Sequence, residues 1–445
     1  MLKARLMHRE RDFDVGSEAP PGSEDVVQDL TLAVLFEAMA GGDGFLLEIA
    51  RKAVLSGLND VAAVLYRQDI LRDCMSNPVI VRDLYDIAVE AIDRERKEYW
   101  FYSHNPSSLL HRSVNVLQMF VGVLRRLRAQ ADAHAGKFRS DGFTALFANL
   151  AKELDDEYLE SIDAHIARLK FRHGVLISGR LGTGNLGFDY RLRRLNNEGR
   201  PWLQRLFAPR TPAFTFRIHE RDEGGARAVA ELRDRGINFV ANAVAQANDH
   251  ILGFFRMLRA ELAFYVACLN LAEKLSARGL ELCFPEPAPS AARRYTARGS
   301  YDICLALSSG RPVVANDVDA DGKSLLMITG ANEGGKSTFL RSLGLAQLMM
   351  QCGMFVPARD FCADLCTGIF THFKREEDAE LRHGKLDEEL HRLSGLVDLL
   401  SPDAMILFNE SFQSTNEREG SEIGRQVVRG LLESRMKVCF VTHMY

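Results

Sequence analysis

A chain of 445 residues, 47% hydrophobic and 26% charged, holds enough apolar material for more than one core and is neither disordered nor fibrous. Lys and Arg number 56 against 60 Asp and Glu, a formal net charge of −4, so no global positive field gathers nucleic acid or anionic lipid and any such binding has to be local. No apolar run approaches the roughly 18 residues of a membrane span, the N-terminus is charged where a signal peptide would be apolar, and of the eight cysteines only Cys362 and Cys366 are closely spaced; a cytoplasmic chain with core thiols, away from membranes, is expected.

Residues 1–25 are charged and then turn-rich (GSEAPPGSED), which predicts a flexible arm with no core of its own. Over 26–164 apolar residues recur every three or four positions, in LAVLFEAMA, LLEIARKAVL, VAAVLYRQDILRDCM and VNVLQMFVGVLRRLRAQ. This stretch reads as all-helical, with a boundary at Asn77 and Pro78. Between His165 and Arg217 eleven Lys and Arg stand against two acids, Asp189 and Glu198, and the texture changes to β-branched and aromatic runs (GVLIS, AFTFRI) between glycines. Residues 165–226 therefore read as a basic module inserted between helices. Its Arg180, Arg191, Arg193 and Arg194 are the candidate contacts to a DNA backbone. Helical pattern returns over 227–284. From 285 to 445 strand-like runs (SLLMITG, AMILFNE, VCFVTH) alternate with helices, as in a parallel α/β sheet. The expected fold class is mixed: an all-α region carrying a basic insert, then an α/β domain.

The last region carries the chemistry. Gly330, Ala331, Asn332, Glu333, Gly334, Gly335, Lys336 and Ser337 match the P-loop pattern G-x-x-x-x-G-K-S/T, with a strand before and a helix from Thr338 after. Backbone amides of such a loop cradle phosphates at a helix N-terminus, the lysine reaches the outer phosphates, and the serine hydroxyl can ligate Mg2+. ATP with Mg2+ is the expected ligand. Asn409 and Glu410 end a later apolar strand, where Glu410 is the candidate base for an attacking water and Asn409 a ligand to magnesium through its water shell. His443 ends another strand and is the candidate γ-phosphate sensor. A competing pattern, G-x-G-x-x-G at Gly182, Gly184 and Gly187, is refused as a dinucleotide site because FDYRLRRLNNEGRPW opens no uninterrupted helix; a basic loop for a phosphate backbone and a merely solvated loop both stay open.

Taken in order, PVVAN, ITGANEGGKSTFLR, QCGMFVPA, IFTHF, the strand into Asn409 and Glu410 with Ser414 and Thr415, and FVTH resemble the MutS family of DNA mismatch-repair ATPases. LYRQDILRDCMSNPVIVRDLYDIA is similar to that family's core and lever helices. The resemblance implies an ABC-class ATPase whose heads pair as a homodimer around nucleotide and switch a DNA clamp. It implies nucleotide contacts from Val313 and Asn316, with Val313 standing where the family has an aromatic. The chain departs from the pattern elsewhere. Its helical region begins too early for a mismatch-reading domain, and Phe284-Pro-Glu286 matches that domain's Phe-x-Glu wedge in letters only. Gly384, Lys385, Leu386 and Asp387 replace the serine-bearing segment that faces the partner's nucleotide, and the ATPase domain is expected to be cut short at its C-terminus. Two other readings remain: a P-loop enzyme acting on a small substrate, and a nucleotide-dependent structural protein with little hydrolysis.

Overall fold

The structure, a computed structural model, describes residues 2–98, 105–172, 174–193, 214–310, 312–375 and 385–443. It is mixed and helix-rich, and it divides into two compact units. None of the helices among the described residues is long and apolar enough to cross a membrane.

One unit is built from Asp86–Ala133 and Ala148–Arg256. Helix Asp156–Leu169 starts where the Asp155 carboxylate accepts the Tyr158 N–H, with Asp156 and Glu157 at the positive end of its dipole. It buries Leu159 and Ile166 against Leu110, Val114 and Val121 of helix Pro106–His134 and Ile237, Ala241 and Val244 of helix Glu223–Ser276. That last helix has 54 residues and no proline to interrupt it. Strands β1 (Leu176–Leu181) and β2 (Gly187–Arg193) form an antiparallel hairpin in this unit. AFTFRI does not supply a strand among its described residues, 214–218; the partner of GVLIS is GFDYRLR instead.

The other unit gathers Lys3–Tyr85, His134–Phe147 and the chain from Met257. It holds two sheets. One has the order β3 (Glu286–Ala288), β7 (Asp360–Asp364), β4 (Tyr295–Ser300), β5 (Asn316–Asp319), and only its β3–β7 pair is parallel, an element the alternating apolar pattern does not foretell. The other is wholly parallel, in the order β6 (Leu325–Ile328), β10 (Lys437–Val441), β9 (Met405–Asn409), β8 (Ile369–Phe373). Its central strands are continuous apolar runs because both of their faces are covered, and Met405 to Phe408 are fully buried. Helix Lys336–Gln351 lies close against β9 at Gly344, where a Cβ would come 2.5 Å from the Leu407 Cδ1.

The expected flexible arm is not one over its first part. Leu6 and Met7 are buried, the Tyr265 hydroxyl donates to the Leu6 carbonyl, Arg67 Nε donates to the Met7 carbonyl at 2.7 Å, and Glu261 accepts the N–H groups of Met7 and Phe13. The charged composition of 1–25 hides three apolar side chains, Ala4, Leu6 and Met7, and partners far along the chain satisfy the segment's backbone. Phe284 is likewise structural: Arg72 lies over its ring at 4.4 Å and Phe355 meets it edge-on.

Candidate functional site

The strands of the parallel sheet end in register: Ile328 lies opposite Val441, Val441 opposite Asn409, and Asn409 opposite Phe373. Parallel strands therefore put every carboxyl end on one edge, which is where open α/β sheets bind ligands. At that edge β6 runs into the loop Gly330 to Gly335, and the loop feeds helix Lys336–Gln351. The backbone is left-handed at Glu333 and Gly335 (φ 61° and 82°), and space around Gly335 is open. No side chain caps this helix, so its first-turn N–H groups are left to the loop's concave side, where they suit an anion. Lys336, only 9% exposed, points back into the loop, its Nζ donating to the carbonyls of Gly330 (3.0 Å) and Ala331 (2.7 Å). Among the described residues this ammonium has neutral acceptors and no carboxylate, an arrangement that an anionic ligand improves. Thr338 Oγ1 lies 3.5 Å from Arg341 Nη2, and Arg341 in turn is held by the Asp302 carboxylate at 2.9 Å.

Across the edge, Ser337 Oγ donates to Asn409 Oδ1 at 2.8 Å, joining the helix start to the end of β9. These two neutral oxygens fit a hard cation that keeps most of its water and takes its charge partners from phosphate, as Mg2+ does, better than a cation needing a full protein cage. Next along the chain, Glu410 accepts from His443 Nε2 at 2.8 Å, so the end of β10 orients the carboxylate at the end of β9. Glu410 also donates its N–H to the Val441 carbonyl at 3.0 Å. Both Glu410 (φ 56°) and Phe412 (φ 67°) occupy the left-handed region, which costs side-chain-bearing residues on the order of 1–3 kcal/mol each and concentrates at functional turns. Lys336, Ser337, Asn409, Glu410 and His443, widely separated in sequence, thus share one edge. Val313 and Asn316 are not joined to the loop by any hydrogen bond among the described residues: Val313 is half-buried before β5, and Asn316 opens β5 and bonds locally to the Val314 carbonyl. Of the segment replacing the family's serine, Gly384 lies outside the described residues, and helix Lys385–Val397 starts immediately after it.

The residue pattern left three neighbours of the Glu410 turn unassigned: His372, Glu389 and Ser411, all buried. The polar pair Thr371 and His372 inside the buried β8 was the available signal.

The arginines of the basic module sit on the hairpin. Arg191 and Arg193 project from one face of β2, Arg193 Nε bonding Ser178 Oγ at 2.8 Å. Arg180 and Arg191 flank Asp189 at 3.6 and 3.0 Å, so one carboxylate offsets part of their charge. Arg194 lies outside the described residues. Gly182 and Gly184 lie in the hairpin's turn, which holds one 3-10 turn at Thr183–Asn185, with Gly182 N–H bonded to the Leu186 carbonyl at 2.8 Å; Gly187 starts β2, so no α-helix opens there. Beside the arginines Leu181, Leu186 and Phe188 are exposed.

Comparison with known proteins gives similarity over most of the chain. Residues 59–278 match the MutS2 N-terminal domain and residues 326–445 match MutS domain V. The MutS protein homolog 4 of Mus musculus is 31% identical over 146 residues, which is 33% of this chain and 15% of that protein. The DNA mismatch repair protein MutS of Clostridium kluyveri is 30% identical over 37% of this chain and 19% of its own length, and that of Chloroflexus aurantiacus 34% identical over 30% and 14%. This chain spans less than a fifth of the length of each of these relatives.

Proposed function

We propose that this chain, which belongs to the MutS family, is an ATP hydrolase whose nucleotide cycle switches a dimeric DNA clamp, in DNA mismatch repair or a related response to DNA structure. The observation that carries the reading is the pairing at one sheet edge of Ser337 with Asn409 and of Glu410 with His443, beside a glycine loop whose lysine has no carboxylate among the described residues. In this reading the loop amides and Lys336 hold the β- and γ-phosphates of ATP. Mg2+ held by Ser337, and by Asn409 through water, would neutralise phosphate charge there. Glu410 takes a proton from the water that attacks the γ-phosphorus, and His443 keeps its carboxylate aimed. Val313 and Asn316 flank the nucleotide, two heads pair as a homodimer, and Arg180, Arg191, Arg193 and Arg194 hold DNA by its backbone. Relatives named for DNA mismatch repair support the DNA side of the proposal. One observation favours a slower variant, a protein that binds nucleotide and hydrolyses little: Asn409 brings an amide where a carboxylate would bring charge.

The deciding experiment is ATP turnover without DNA and with duplex, branched and single-stranded DNA. Stimulation by DNA is expected. Stimulation by a metabolite alone would move the chain to small-substrate chemistry, and tight ATP binding without turnover would make it the structural variant. Lys336→Ala should weaken ATP binding about 30-fold or more, as loss of a charge-assisted hydrogen bond of roughly 2–3 kcal/mol requires; unchanged affinity would remove the nucleotide reading. Glu410→Gln should keep binding and lower turnover roughly 100-fold or more, since the amide cannot take the proton.

A further inference from the structure

The turn that carries Glu410 is strained at two residues, so something outside it must hold it in place. The holding groups come from two neighbouring elements. Glu389 stands on helix Lys385–Val397 and is 5% exposed; its Oε1 accepts the Phe412 N–H at 2.6 Å and its Oε2 accepts the Ser414 hydroxyl at 3.1 Å. One carboxylate thus satisfies a backbone donor and a side-chain donor in the three-residue span after Ser411. His372, on β8, grips the preceding residue. Its Nε2 faces the Glu389 carbonyl at 3.3 Å and its Nδ1 lies 2.8 Å from Ser411 Oγ, whose hydroxyl donates to the His372 carbonyl at 2.7 Å. Burial, aided by the Arg392 guanidinium, holds this imidazole's pKa down to about 4, so it works as a neutral hydrogen-bonding group. The His372 ring also stacks on Phe412 with centroids 5.9 Å apart.

We propose that Glu389 is the positioning residue of the hydrolytic site: its carboxylate clamps the turn that aims Glu410, so the setting of the base follows the position of helix Lys385–Val397. The inference rests on Glu410 acting as the base. It makes that helix a control element, since any ligand or partner that moves it loosens or tightens the clamp and changes turnover before it changes ATP affinity. A merely structural Glu389 would affect binding and turnover alike; a clamp on the base separates them.

The test compares single-turnover ATP hydrolysis and ATP affinity in Glu389→Ala, Glu389→Gln, Glu410→Gln and the Glu389→Ala/Glu410→Gln pair. Glu389→Ala should slow hydrolysis about 10–100-fold, the cost of misplacing a reacting group by about an ångström, with affinity within about twofold. Glu389→Gln should recover to within roughly threefold, because the amide oxygen still accepts the Phe412 N–H and the NH2 can donate to Ser414 Oγ. In the Glu410→Gln background, Glu389→Ala should cost nothing further, since the group it positions is gone. Wild-type hydrolysis in Glu389→Ala, a full second loss in the double variant, or equal losses of affinity and turnover would each overturn the proposal. If Glu389→Ala does not fold, Ser414→Ala removes one of the two clamp bonds and should show the same separation at about 3–10-fold, with an equal loss in affinity again overturning it. A fast Glu410→Gln would bring down the base assignment and this inference together, whereas a dead Glu410→Gln beside a fast Glu389→Ala sinks the clamp alone.

Discussion

Asn409 is the residue on which the rate of the proposed chemistry turns. Its Oδ1 accepts the Ser337 hydroxyl, so the amide closes the edge as a carboxylate would, but it adds no negative charge beside a cation. Magnesium should be held weakly, and hydrolysis should need much of it. Asn409→Asp keeps the acceptor and adds the charge, so the Mg2+ concentration for half-maximal ATPase should fall about 3–10-fold, a gain of roughly 1 kcal/mol or slightly more for one screened charge pair. The same charge sits one residue from Glu410 and opposes the negative charge of that base, which would instead move the acid side of the pH–rate profile, where a base is lost to protonation. A magnesium titration and a pH profile separate the two effects, and if neither moves, Asn409 is not near the metal. Lys336, Ser337, Asn409, Glu410 and His443 were legible because each lies in or beside a short contiguous motif at a strand end. Glu389 and Ser411 were not, because their role is an interaction between residues 23 or more apart, for which linear spacing carries no signal.

Among the elements, the strands β9 and β10 were readable as apolar runs because they are buried on both faces, and β6 is an apolar run at the sheet edge with Met327 exposed, whereas β4, β5 and β7 pair antiparallel, mix polar and apolar residues, and gave no comparable run. Helix Lys336–Gln351 fits its sheet through Gly344, whose missing Cβ leaves room for Leu407 and for Leu30 at 3.1 Å. Leu407 is fully buried and has nowhere to retreat. Gly344→Val should therefore destabilise by about 1–3 kcal/mol through overpacking, read as a lower denaturation midpoint, and should weaken ATP binding with it because the loop moves with its helix. An unchanged midpoint would mean the helix slides freely on β9. The hairpin makes a different prediction. Neutralising Arg191, Arg193 and Arg194 together should weaken DNA binding about equally for all sequences and reduce the salt dependence by roughly 0.9 for each phosphate no longer neutralised. An unchanged slope would place the DNA surface elsewhere. Asp189→Asn, which frees Arg180 and Arg191 from their shared carboxylate, should act in the opposite sense.

At the scale of the whole molecule, the segment read from composition as a loose arm packs against two groups whose titration is coupled to folding, Glu261 and His8. Glu261 is fully buried, and burial raises its carboxyl to about 7 although the Met7 and Phe13 N–H groups favour the charged form. A folded value above the unfolded one near 4.5 means that the folded state takes up a proton as pH falls from about 7 to about 4.5. The stability this contributes is present in full below about 4.5 and is lost as pH rises through about 7. Nearby His8 works against it: burial, with Arg67 and Arg11, lowers the imidazole to about 4, so its contribution is present above about 6.5 and lost as pH falls towards 4. In the native chain the two slopes oppose each other over the shared window, and the net dependence is shallow. Glu261→Gln removes one of them. The variant's stability should then rise with pH between about 4 and 6.5, and the advantage of the native chain over it should shrink by about 1–3 kcal/mol between pH 5 and pH 8. Denaturant midpoints followed by circular dichroism at a series of pH values read this directly. A difference between the two proteins that stays constant across the series would mean that Glu261 does not titrate in this range, and that the binding of residues 3–13 rests on Arg67, Tyr265 and the burial of Leu6 and Met7 alone.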